Sequence, residues 1–361
     1  MASYSNRLPR PIGCNDQAMG GAAMNLGIEA LTGETDMVTV FDDFNGTLKG
    51  AEGFGDAAVW EDSGWVLTDV NTPAADAISM NSPSTVAIWA PSCISIYPGT
   101  TDDAGGNMQL DLINGTIGTM VGTPDFPHIC IPETAAGVTA IDNTSFVFAC
   151  RLGVRADFTT TGSGAWTTAT PGGKFFIGWS VAGEAAIMTA ATGVLAVAAA
   201  ADQLVGFHIG EDGSLDGVSQ RVGTTAYVEG TNFTEILPAG GVAGTVANGA
   251  TTAGDTMWFD LALRMDVLDW SETTGNGFTT FYHRRVPALS GIPGNEMMDR
   301  SGIGSGNWQK HATVLTDQVP VHTVGLCPSI EAINGPTAGT DCVFLLDWWA
   351  FGTSRFSRFS R

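Results

Sequence analysis

Apolar and polar residues alternate along much of the chain with a period of two. Over residues 257–267, Met257, Phe259, Leu261, Leu263, Met265 and Val267 fall on one side, with Trp258, Asp260, Ala262, Arg264 and Asp266 on the other. A helix cannot use this pattern, because its apolar positions recur every three or four residues, whereas a strand sends successive side chains to opposite faces. Residues 146–155 repeat it, with Phe146, Phe148, Cys150, Leu152 and Val154 inward and Arg151 and Arg155 facing out. Residues 107–112 do the same with Met108, Leu110 and Leu112. Shorter runs of strand composition lie at 37–41, 65–70, 86–89, 174–179, 203–209, 278–283 and 319–326. Residues 342–351 are apolar almost without a break, as expected of a strand covered on both faces.

About a dozen strands, with Gly, Asn, Asp and Thr turns between them, predict an all-β sandwich or barrel. Helices are scarce; the best candidates are 16–31 and the Ala-rich stretch 185–201. The second falls short of the ~18 apolar residues of a membrane span and reads as a buried small-residue helix or loop. No longer internal repeat is present, which disfavours a propeller or solenoid. The expected organisation is one sandwich domain over 37–354, an N-terminal arm over 1–36 and a short C-terminal tail over 355–361. A low-complexity Gly, Ala, Thr and Val stretch at 213–254 reads as a loop excursion from the sandwich.

Composition supports a large core: 44% of residues are hydrophobic and only 14% charged. The net charge of −22 excludes nucleic-acid binding as a main role, since neutralising phosphates takes clustered Lys and Arg. Only Lys49, Lys174 and Lys310 represent lysine, and five of the fifteen basic residues, Arg7, Arg10, Arg355, Arg358 and Arg361, lie in the two end segments. The start MASYSNRLPRPIG has no apolar stretch behind its basic residues, so no secretory signal is expected.

Cys14, Cys93, Cys130, Cys150, Cys327 and Cys342 show no C-x-x-C pairing and no His at zinc-ligand spacing, and read as buried free thiols, with disulfides left open. His128, His208, His283, His311 and His322 are dispersed and read as strand or loop histidines. The run 178–183 misses the G-x-S-x-G nucleophile elbow by one residue and reads as a strand end. The run 301–306 lacks the strand and helix that a phosphate loop requires. No cofactor is expected; Asp212 and Asp216 offer oxygens for a structural Ca²⁺, but the spacing lacks the full calcium loop and an acidic hairpin turn is the better reading.

In order, the strands resemble the concanavalin A-like (laminin G-like) sandwich family: FDDFNG at 41–46, the strand at 146–155, KFFIGWS at 174–180, LVGFHIGEDG at 204–213, MWFDLALRMDV at 257–267, GFTTFYHRRVPA at 277–288 and FLLDWWAFGTSR at 344–355. The resemblance implies an antiparallel two-sheet jelly roll whose first and last strands lie side by side, with 41–44 pairing near 345–349. Glycan-cleaving enzymes of that fold carry E-x-D-x-x-E, which puts acid and nucleophile in one cleft ~5 Å apart. No such string occurs in this chain, and adjacent acidic pairs such as Asp42-Asp43, Asp102-Asp103 and Glu211-Asp212 would split across the two faces of a strand, so no enzyme is expected. A second resemblance, to structural proteins of tailed bacteriophages, rests on the Gly/Ala/Thr richness, few lysines and long loops.

The tail RFSRFSR alternates the residue types enriched at protein interfaces. Arg355, Phe356, Arg358, Phe359 and Arg361, together with Arg7 and Arg10, are the expected anchor to an acidic neighbouring subunit. The reading is a non-enzymatic virion protein, a capsid decoration or cement protein made in the host cytoplasm, homo-oligomeric, and partnered with subunits such as the major capsid protein. The alternative is a lectin-like module or adhesin that stacks a surface glycan on Trp60, Trp65, Trp89 or Trp166, with Trp179, Trp348 and Trp349 in the core. Neither reading involves a membrane.

Overall fold

Alternating segments cannot bury their apolar sides singly, so they pair into sheets and the sheets stack. The computed structural model describes residues 37–42, 65–70, 94–96, 103–110, 144–155, 173–181, 186–189, 193, 195, 203–210, 215–220, 228–229, 256–269, 276–285, 309–316, 319–320, 326–335 and 343–354. Among them are fourteen strands and no helix. The strands are β1 (Met37–Asp42), β2 (Trp65–Val70), β3 (Ile94–Ile96), β4 (Gly105–Leu110), β5 (Thr144–Arg155), β6 (Lys174–Val181), β7 (Leu204–Ile209), β8 (Leu215–Gln220), β9 (Val228–Glu229), β10 (Thr256–Asp269), β11 (Asn276–Arg285), β12 (Gln309–Thr316), β13 (Leu326–Ile333) and β14 (Val343–Ser354). Among the described residues, no helix is long and apolar enough to cross a membrane.

Sheet I has the order β1-β14-β5-β10-β11-β12, with β3 also paired to β14; sheet II has the order β2-β4-β13-β6-β7-β8-β9. Every pairing is antiparallel. The chain changes sheet at each step from β1 to β6 and again from β12 to β14, which makes the sandwich a jelly roll. As the family resemblance implies, the first and last strands are neighbours: Phe41 pairs with Ala350 and Asp42 with Trp349.

The core between the sheets is aromatic. Phe148 of β5 contacts Trp179 of β6 and Phe351 of β14 at ring separations of 5.8 and 5.2 Å, and Phe207 of β7 meets Phe281 of β11 at 5.6 Å. Phe175 stacks on Phe344 at 4.4 Å. Such pairs contribute about 0.5–1.5 kcal/mol each beyond their burial. Close approach of the sheets demands a glycine opposite Phe281: a Cβ on Gly217 would stand 2.6 Å from the ring. Trp179 and Trp349 are buried in this layer as expected, while the side chain of Trp348 lies outside the described residues.

Several expectations are corrected. Arg151 points away from the core, but it is buried and paired with Asp260, not turned to water. The described part of the Ala-rich stretch is not helical; it folds back on itself through a bridge between Met188 and Leu195, with Gly193 turning the chain at φ 64°. β8 and β9 occupy part of the stretch read as a loop excursion. The strand expected at 319–326 is displaced to β13, whose Pro328 disguises it; the β4 ladder begins only at Ser329, so the proline has a ladder partner on one flank alone. The candidates 16–31 and 86–89 lie outside the described residues.

Candidate functional site

The face of sheet II turned away from the aromatic core carries the densest set of polar side chains among the described residues. Strand register lines them up in rows: Asn107, Glu331, Phe176, His208 and Asp216 form one, and Gln109 and Ser329 open the next. All are buried. The covering segment, which includes 186–189, 193 and 195, adds Ile187, Met188 and Leu195 to Phe176, Leu204, Val218 and Ile333 in a second small core.

Polar groups pin that segment down. The carboxylate of Glu331 accepts the backbone N–H groups of Ile187 and Met188, each at 2.6 Å. His208 Nε2 donates to the Gly193 carbonyl at 2.8 Å, which fixes the proton on that nitrogen. Gly193 rests on the aliphatic stem of Lys174, where a Cβ would come within 2.6 Å of Cγ. The ammonium of Lys174 reaches Asp103 at 2.8 Å. Beside this row, Gln109 Nε2 donates to Ser180 Oγ, the Val181 carbonyl and Ser329 Oγ at 3.0, 2.8 and 3.3 Å, and Ser180 donates to Ser329 at 2.6 Å.

Sheet I uses its charges in the same way. Arg151 binds Asp260 through two nitrogens at 2.7 and 3.3 Å. Arg264 chelates Asp266 at 2.7 and 2.9 Å, and Ser145 donates to the same carboxylate at 2.5 Å. Burial, reinforced by the Asp260 carboxylate, pushes the Cys150 thiol well above its ordinary range, so it stays protonated and unreactive. Burial also raises the Tyr282 phenol; the Arg264 charge opposes this and the Asp266 charge adds to it. Asp103, Asp260, Asp266 and Glu331 are all engaged in internal contacts.

Arg7, Arg10, Arg355, Phe356, Arg358, Phe359, Arg361, Trp60, Trp89 and Trp166 lie outside the described residues; Trp65 opens β2, an edge strand of sheet II, opposite Leu110. The register of β1 on β14 bears directly on the anchor: Met37 pairs with Ser354. Cross-strand partners stand about 4.5–5.5 Å apart, so segments 1–36 and 355–361 join the sandwich side by side at one end of sheet I. Cys150 and Cys327 are buried and form no disulfide; among the described residues no group of three His, Cys, Asp or Glu side chains could hold a metal ion. Asp216 of the suggested calcium turn is a buried strand residue beside His208. Glu331 and Gln109 escaped the sequence reading because a single polar residue between apolar ones looks like an ordinary solvent-facing strand position.

The backbone is similar to known lectin-like sandwiches. Arcelin-5, a lectin-like defense protein from Phaseolus vulgaris, is 9% identical with a TM-score of 0.42, over 88% of this chain and 99% of that one. Lectin I from Ulex europaeus, solved with the methyl glycoside of α-L-fucose, is 8% identical with a TM-score of 0.41, over 89% and 99%. The CBM2 module of the evolved Dit of Lactobacillus casei BL23 phage J-1 is 11% identical with a TM-score of 0.37, over 88% and 96%. No protein-family model and no curated protein sequence matches the chain.

Proposed function

We propose that this chain is a non-catalytic structural protein of a tailed-bacteriophage particle, a capsid decoration protein held to its neighbours by segments 1–36 and 355–361. The Met37–Ser354 register carries the reading. It sets side by side the points at which segments 1–36 and 355–361 join the sandwich, and in a strongly acidic chain those segments carry Arg7, Arg10, Arg355, Arg358 and Arg361. Cationic segments suit an acidic subunit surface, where complementary charge sets orientation and association rate. The commitment of Asp103, Asp260, Asp266 and Glu331 to internal bonds supports a scaffold without chemistry of its own.

Cosedimentation with shells of the particle that encodes the protein tests the proposal. The full chain is expected to bind in a salt-sensitive manner, and a variant with Arg355, Arg358 and Arg361 changed to Ser is expected to bind at least tenfold more weakly. Equal binding by the two would overturn it. A second reading, a glycan-binding module, is supported by the position of Trp65 on edge strand β2. A glycan array answered by the parent and lost in Trp65→Ala would favour it.

A further inference from the structure

We draw no further inference here: the strongest candidate, the exposed apolar patch of Leu268 and Phe278 at the hairpin end of β10 and β11 in sheet I, carries nothing, because nothing among the described residues shows what covers it.

Discussion

Glu331→Gln probes how the covering segment is held on sheet II. Both oxygens of the buried Glu331 carboxylate are engaged, one by the Ile187 N–H and one by the Met188 N–H. Hydrogen bonds to a charged group contribute about 1.5–3 kcal/mol each, and a neutral one about 1 kcal/mol. The amide keeps one acceptor but aims its own N–H₂ at the second backbone donor. One charged bond becomes neutral, and the other is replaced by an unsatisfied buried N–H costing about 1–3 kcal/mol. The net loss is about 2–5 kcal/mol. The segment's contacts lie on the sheet's outer face, away from the aromatic layer, so the loss should appear first as local opening. Amide hydrogen exchange at Ile187 and Met188 should therefore accelerate by about 30-fold or more, at 1.4 kcal/mol per factor of ten. Exchange at Phe148 and Leu263, between the sheets, should change far less. Acceleration below about threefold at Ile187 and Met188, with unchanged stability in urea, would show that the carboxylate does not hold the segment.

Removing one member of the buried Arg151–Asp260 pair strands the other charge: Asp260→Leu should cost about 3–5 kcal/mol in urea unfolding, while Asp260→Leu with Arg151→Met should recover most of it. Gly217→Ala forces a methyl against the Phe281 ring and should cost about 1–3 kcal/mol, with Phe281→Leu in the same chain relieving part of it, as read from the shift in denaturation midpoint. Because the Cys150 pKa is raised in the folded state, its contribution to stability is complete below the unfolded thiol value of about 8.5 and declines as pH rises above it, by up to about 1.4 kcal/mol per pH unit. Urea titrations between neutral and alkaline pH should show that decline in the parent and a shallower one in Cys150→Ala.

Alternation along β5 and β10 was legible in the sequence because a strand's geometry sends successive side chains to opposite sides whatever surrounds it. It correctly placed Phe146, Phe148, Cys150, Leu261, Leu263 and Met265 in the core. The same rule obscured β14: the register jumps between Leu346 and Trp348, so inward residues fall at 344, 346, 349 and 351 and the period breaks at the bulge. For the proposed anchor, the sequence supplied the residue types, and the pairing of Met37 with Ser354 shows only that segments 1–36 and 355–361 join neighbouring strands.

By itself, the sequence determined the strand-rich architecture, the inward face of its longest alternating strands and the acidic, lysine-poor charge balance, because each follows from local geometry or simple counting. Only the tertiary structure decided what covers the opposite faces. Arg151 meets a carboxylate 109 residues away, and Glu331 meets backbone donors 143 and 144 residues away. A polar residue in an alternating strand reads the same whether water or another segment lies above it, and that choice depends on how distant parts of the chain are brought together.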